Sequence, residues 1–266
     1  VNYQKGKRDG LEKIFIVPVT INYNFVLEAP DLIKQYLKMK GQERYYVEND
    51  EYSSSYKTFA FLFKFFTKGS NISVSIGKCM DVLGNYVNED GQSFDKHNRL
   101  VDTQEYFTKD GHIISHNQQR EDEYTRMLSS RIVEEFHIIN KVFASHLVAF
   151  TAFQIIEKRF PKLDLYNLLR VPEEDQEIEY EDFKIVFEKL LNKIYKLKEN
   201  GKVNISPNLT GDIDEIIKLG VINVGMFHAK RAIKLTKGGK IVSEDLNLLY
   251  YYHNRLKGYN LERHVE

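Results

Sequence analysis

Tryptophan is absent from these 266 residues, cysteine occurs once, at Cys79, and proline only five times. A single cysteine excludes a disulfide framework and a cysteine-built zinc site. Scarce proline, with glycine at 15, argues against a turn-rich all-β chain and towards helix. Charge of one sign is missing too. The 38 Lys and Arg balance 38 Asp and Glu, so the chain lacks the basic excess of a nucleic-acid binder. No long hydrophobic run exists either. The nearest, residues 142–156 (VFASHLVAFTAFQII), falls short of the ~18–20 residues that cross a bilayer. Ser145, His146, Thr151 and Gln154 interrupt it, and it reads as a buried core helix. What is plentiful is Tyr and Phe, 17 of each, within a 42% hydrophobic total, enough to fill a core and to exclude a disordered chain.

The chain opens on Val1 rather than an initiator Met, with a polar stretch (VNYQKGKRDGLEK), and is expected to have been cut from a longer one or processed. Residues 14–19 (IFIVPV) form a β-branched run expected as a strand buried on both faces of a parallel sheet. Pro18 cannot donate to a ladder, so the strand should lie at an edge or end there. Residues 31–40 predict an amphipathic helix stopped by Gly41. In residues 55–68 (SYKTFAFLFKFFTK) Lys57, Lys64 and Lys68 share one helical side, while Phe59, Leu62, Phe63 and Phe66 take the other. That stretch reads either as a core helix over a sheet or as a helix resting on a membrane surface. Residues 71–77 (NISVSIG) alternate at period two, a second strand with one covered face.

Residues 86–102 read as a long polar loop and 119–160 as nearly unbroken helix ending at Phe160 and Pro161. The acidic run 173–181 (EEDQEIEYE) is expected to begin an amphipathic helix over 180–199 with lysines in its last turns, which suits the helix dipole. A short helix near 212–219, a hairpin around Gly238 and Gly239, and a last helix from Ser243 as N-cap to about Lys257 complete the pass. The reading is an α-rich α/β chain, with an α/β portion over 1–100 and a mainly helical portion over 105–266. Two strands are too few for an independent sheet, so further sheet members are expected upstream.

Chemical motifs are sparse. His112 and His116 sit four apart, but the β-branched Ile113 and Ile114 between them point to an extended segment and no H-E-x-x-H exists, so no metal site is expected. Neither a G-x-G-x-x-G nor a P-loop pattern occurs. His97 and Asp102 spell H-x4-D, the spacing at which an aspartate can orient a histidine as general base towards an alcohol.

Four separated stretches, in order, resemble the glycerol-3-phosphate acyltransferase family of H-x4-D enzymes. Residues 16–23 (IVPVTINY), with Val26, Leu27 and Glu28, look like its fourth conserved block. Residues 72–83 (ISVSIGKCMDVL) look like the strand that follows, with Cys79 where proline is usual. Residues 131–150 (RIVEEFHIINKVFASHLVAF) are similar to a helix pair, and residues 247–254 (NLLYYYHN) to the C-terminal helix. The family's G-x-x-F-x-R-R and F-P-E-G blocks are not found here. His97 and Asp102 follow the fourth block, whereas the family's catalytic pair precedes it. The resemblance therefore implies the C-terminal part of an acyltransferase α/β domain followed by a helical region, with the catalytic pair upstream and none in this chain. It implies transfer of a fatty acyl group from acyl-CoA or acyl-carrier protein to a glycerol-phosphate hydroxyl, without metal, redox cofactor or nucleic acid. Val17, Pro18 and Val19 would shape the strand end beside the acyl or acceptor pocket. Tyr23 would hydrogen-bond near it or close the core as an aromatic. The implied location is cytoplasmic, with Lys57, Lys64 and Lys68 as candidates for peripheral membrane contact. A second class stays open: a non-catalytic helical module that binds a partner protein through the acidic start at Glu173 and the helix bearing Tyr250 and Tyr252.

Overall fold

The structure, a computed structural model, describes residues 13–41, 72–109, 112–113 and 117–265. In chain order these form strand β1 (Val19–Tyr23), helix α1 (Ala29–Met39) and strand β2 (Ile72–Ile76). Short strands β3 (Tyr86–Val87), β4 (Ser93–Phe94), β5 (Leu100–Val101), β6 (Thr108–Lys109) and β7 (His112–Ile113) follow. Then come helix α2 (Gln118–Ile139), β8 (Lys141–Val142), α3 (Ala144–Arg159) and the single turn α4 (Leu165–Leu168). The rest is β9 (Ile178–Glu179), α5 (Tyr180–Glu199), β10 (Asn204–Ile205), α6 (Ile213–Asn223), β11 (Lys234–Leu235), β12 (Lys240–Val242) and α7 (Leu246–His253). Among the described residues the chain is mixed α/β, helix outweighs strand, and each sheet has two or three strands.

Contacts divide the chain into two compact units, Val1–Ile21 with Val74–Asn140, and Asn22–Ser73 with Lys141–Glu266. This is not the sequential split at residues 100–105. The boundary falls inside β1 and β2, and α2 groups with the earlier strands.

In the first unit the β1–β2 pairing is prolonged by an antiparallel bridge between Ile16 and Met80. Pro18 cannot donate, but its carbonyl accepts from Gly77 N–H at 2.8 Å. Ile16 and Pro18 are two positions apart while Gly77 and Met80 are three apart, so Lys78 and Cys79 accommodate one extra residue as a β-bulge. A bulge frees a backbone N–H. Here the Lys78 N–H is taken by Oε1 of Glu135 at 3.0 Å, a carboxylate from α2 in a residue only 3% exposed. Oε2 accepts the Tyr86 hydroxyl at 2.9 Å. Lys78 Nζ and the Arg131 guanidinium lie 5.1 and 5.5 Å from the Tyr86 ring, cation–π contacts on the residue that bonds the buried carboxylate. Burial, and then the bond to Glu135, raise the Tyr86 pKa, keeping the hydroxyl a donor. Glycine at 77 lets the carboxylate in, since a Cβ there would stand 2.8 Å from Glu135 Cγ.

The second unit is built on α3, in which every residue from Ala144 to Gln154 is buried. A helix apolar on all sides needs neighbours on all sides, and α5, α6 and α7 pack around it. The α6 backbone comes closest: a Cβ on Gly220 would meet Val148 Cγ2 at 2.5 Å and the Ala144 carbonyl oxygen at 2.7 Å. Helix α5 buries Phe183, Phe187, Leu190 and Ile194 along one stripe, and α1 buries Ala29, Ile33 and Leu37. Strands β8 and β10 pair in parallel, and β9, β12 and β11 form an antiparallel sheet turned at Gly239 (φ +77°).

Several expectations hold. Helix α5 has the expected bounds, α1 stops at Gly41 (φ +67°), and the hairpin turns at Gly239. Others are corrected. The strand expected over 14–19 is not buried on both faces, and the regular ladder starts only after Pro18. Residues 86–101 are a three-stranded antiparallel sheet, not a loop, because turns at Asp95 and Asn88 fold two-residue strands back on each other. The long helix breaks at Asn140, where the chain extends to pair β8 with β10. The acidic run splits into a 3-10 turn (Glu173–Gln176) and β9 before α5 begins. The last helix is capped by Asp245, which accepts from Asn247 and Leu248 N–H.

Two buried histidines stay neutral. His146 accepts the Phe143 N–H at Nδ1, and burial followed by the Arg255 charge pushes its pKa from 6.5 down to about 3. His253 stacks on Phe153 with centroids 4.2 Å apart, and burial likewise lowers its pKa to about 3.

Two predictions follow from this packing. In urea titrations Gly77→Ala should cost roughly 1–3 kcal/mol by overpacking, and Glu135→Ala about 2–3 kcal/mol by orphaning the Lys78 and Tyr86 donors. The double variant should lose less than the sum, because removing the carboxylate relieves the clash. The second prediction concerns acid. Both histidine pKa values are lower folded than unfolded, so the unfolded chain takes up protons first. Stability present at pH 7 should fall as pH drops from about 6.5 towards 3, by up to about 1.4 kcal/mol per unit for each histidine. His253→Phe should remove one proton's share of that slope.

Candidate functional site

Strand β1 and its approach have two unlike sides. Phe15, Val17, Val19 and Ile21 alternate on one side and are 46–50% exposed. The bulge brings β2 into register with the same outward side, where Val74 and Ile76 are 59% and 71% exposed. Six large apolar side chains thus form one open face in the first unit. Strand β2 has the one covered face that its alternation predicts, and that face is the polar one: the half-buried positions are Ser73, Ser75 and Gly77. Contiguous exposed apolar surface of this kind marks a contact site.

The reverse side is polar and covered. Pro18 and Asn22 are buried, and Thr20 is half-buried with its Oγ1 3.5 Å from the Ile139 carbonyl. Asn22 is 1% exposed, and neither atom of its amide has a hydrogen-bond partner among the described residues. Such a group holds a binding potential that the protein itself leaves unused.

After β1 the second unit fixes the chain tightly. Ser145 Oγ donates to Asn24 Oδ1 at 2.6 Å, and Gly225 N–H donates to the Asn24 carbonyl at 3.0 Å. Val26 N–H donates to the Tyr252 hydroxyl at 3.1 Å, which meets His228 Nε2 at 3.0 Å. The half-buried Tyr23 carries the Arg255 guanidinium 5.4 Å from its ring centroid, a cation–π arrangement.

Of the predicted site residues, Val17 and Val19 therefore project from the open face, Pro18 is buried against the reverse side, and Tyr23 is bound to the second unit's packing. Lys57, Lys64 and Lys68 lie outside the described residues. The H-x4-D match is separated by structure. His97 sits exposed in the β4–β5 turn, with its N–H on Asp95 Oδ1 at 2.8 Å. Asp102 accepts Gln104 N–H at 2.8 Å and caps a 3-10 turn (Thr103–Tyr106). No hydrogen bond or ion pair joins the two among the described residues. The organiser of this turn is Asp95, whose carboxylate also takes Arg99 N–H and guanidinium; those bonds hold its pKa down at about 2. His112 lies in β7, extended as expected, and His116 lies outside the described residues. No group of three or more metal-ligating side chains occurs among the described residues. Likewise no described helix is long and apolar enough to cross a membrane.

Sequence reading missed Phe15, Ile21, Val74 and Ile76 as members of the open face and Asn22 as the amide behind it without a partner among the described residues. The period-two signal was present, but alternation alone does not say which side is covered.

Replacing Val19 and Val74 by Lys in this chain should reduce binding of a hydrophobic fluorescent dye and self-association. Because both side chains are already exposed, unfolding free energy should change by no more than about 0.5 kcal/mol.

No protein-family model, no curated protein and no solved structure matches the chain.

Proposed function

We propose that this chain is part of a glycerolipid acyltransferase that moves a fatty acyl group from a thioester to a glycerol-phosphate hydroxyl. The observation that carries the reading is that the four family-like stretches meet in pairs. The strand of the IVPVTINY block pairs with the strand of the ISVSIG block. The helix pair ends in α3, whose main partners include α7 of the NLLYYYH block, with Phe150 and His253 stacked at 6.2 Å.

In this reading the open face of Val17, Val19, Ile21, Val74 and Ile76 is covered by the remainder of the catalytic domain, which brings the strand end to the acyl pocket. The chemistry needs a histidine to take the proton of the acceptor hydroxyl as its oxygen attacks the thioester carbonyl carbon. The carbon–sulfur bond breaks, and the thiol leaves with the proton. His97 is not that base, since Asp102 does not orient it. The pair that serves belongs to a preceding segment of the protein.

The assay is transfer of labelled acyl from acyl-CoA or acyl-carrier protein to glycerol 3-phosphate by this chain joined to its preceding segment. Val17→Asp with Val19→Asp should lower kcat/KM by about tenfold or more, while His97→Ala should leave it within about twofold. Absence of acyl transfer, or its abolition by His97→Ala, overturns the reading.

A further inference from the structure

The second unit holds a cavity of about 460 Å³ that the acyl-transfer reading does not use. Helix α6 presents Asp214, Ile217, Lys218, Val221 and Ile222 to it, the i, i+3, i+4, i+7, i+8 face of one helix. Ile217 and Ile233 form a floor each 1% exposed, and Ile222 and Leu235 make an open lip, 50% and 46% exposed. Volume and lining are those of a small-molecule site, a mostly apolar cleft with a few polar groups converging on it.

Charge accounting on the rim selects the head group. Asp214 is already engaged: Oδ1 accepts the Tyr180 hydroxyl and Oδ2 the Lys184 ammonium, both at 2.7 Å. Those bonds, that of Lys184 first, lower its pKa and keep it ionised. Glu244 is likewise engaged by Lys234 Nζ and the Arg231 backbone N–H, both at 2.7 Å. Of the charged lining residues, Asp214 is paired with Lys184 and Lys234 with Glu244, which leaves Lys218 and Arg231. Neither makes an ion pair among the described residues, although the Glu244 carboxylate also attracts Arg231. The only hydrogen bond of the Arg231 guanidinium among the described residues runs 3.4 Å to the Ile222 carbonyl. A guanidinium so placed keeps donors to offer an anionic head in bidentate fashion.

We infer that this cavity binds a small anionic amphiphile, a linear apolar chain ending in a carboxylate or phosphate, with the chain on Ile217, Val221 and Ile233 and the head between Lys218 and Arg231. The inference stands on this cavity alone and survives if the acyl-transfer reading fails.

Calorimetric titration of the 266-residue chain below micellar concentrations tests it, with decanoate, decyl phosphate, decanol and decyltrimethylammonium as probes. At least one of the two anions should bind about tenfold or more tightly than the neutral and cationic probes, and the preference between the anions identifies the head. Lys218→Glu, a change on an exposed side chain, should weaken the anion about tenfold or more and leave decanol unaffected. Arg231→Ala provides an independent second variant with the same expected outcome. Binding by neither anion, equal binding of decanol, or unchanged affinity in both variants overturns the inference.

Discussion

Glu135 takes the Lys78 amide and the Tyr86 hydroxyl while almost closed off from water, and that pair of bonds decides how β2 continues into the following sheet. A bulge without a partner for its freed N–H would cost about 1–3 kcal/mol. A carboxylate without neighbouring cations and donors could not be buried at all. Each solves the other's problem, the bulge supplying a donor and Glu135 the acceptor. The geometry is possible only because residue 77 has no side chain. The consequence reaches β1. The extra residue at the bulge shifts the register beyond it so that the two strands present their apolar residues on the same side.

The second unit obeys a different constraint. Helix α3 has no polar face to give to water, so it must be enclosed, and the tightness of its enclosure is set by Gly220. Its polar residues are absorbed locally. Thr151 bonds back to the Leu147 carbonyl at 2.8 Å, Gln154 bonds Glu157 at 2.6 Å, and Ser145 bonds Asn24. His146 and His253 are tolerated because burial keeps them uncharged near neutrality. The unit gains its packing in exchange for sensitivity to acid.

What could be read from the sequence followed from signals that one segment carries by itself. Residues 180–199 have an amphipathic period, acids at the start and lysines at the end, and the helix has those bounds. Glycine at 41 and 239 marks left-handed turns that other residues resist. Two-residue strands carry no period, so the β3–β4–β5 sheet was invisible; its order comes from Asp95 and Asn88 side chains binding backbone N–H groups. The H-x4-D spacing was legible as a string and empty as a site, because both carboxylates near His97 are spent on turn geometry. Cys79 lies in the bulge itself, and its carbonyl accepts the Val87 N–H at 2.9 Å.

The inverted β1–β2 pair bears most directly on function. Ordinary two-sided sheets put apolar residues inward and polar residues outward. Here the inward side carries Thr20, Asn22, Ser73 and Ser75, and the outward side carries valine, isoleucine and phenylalanine. A strand pair so arranged can be a sound piece of structure only if both sides are covered. Completing the burial of six half-open apolar side chains would contribute on the order of 1 kcal/mol each. The total is comparable with the whole stability of an average domain. A free energy of that size is far more than a passing contact needs. It is the scale on which the layers of one domain are held together, and so the open face favours a permanently packed layer over a partner that comes and goes.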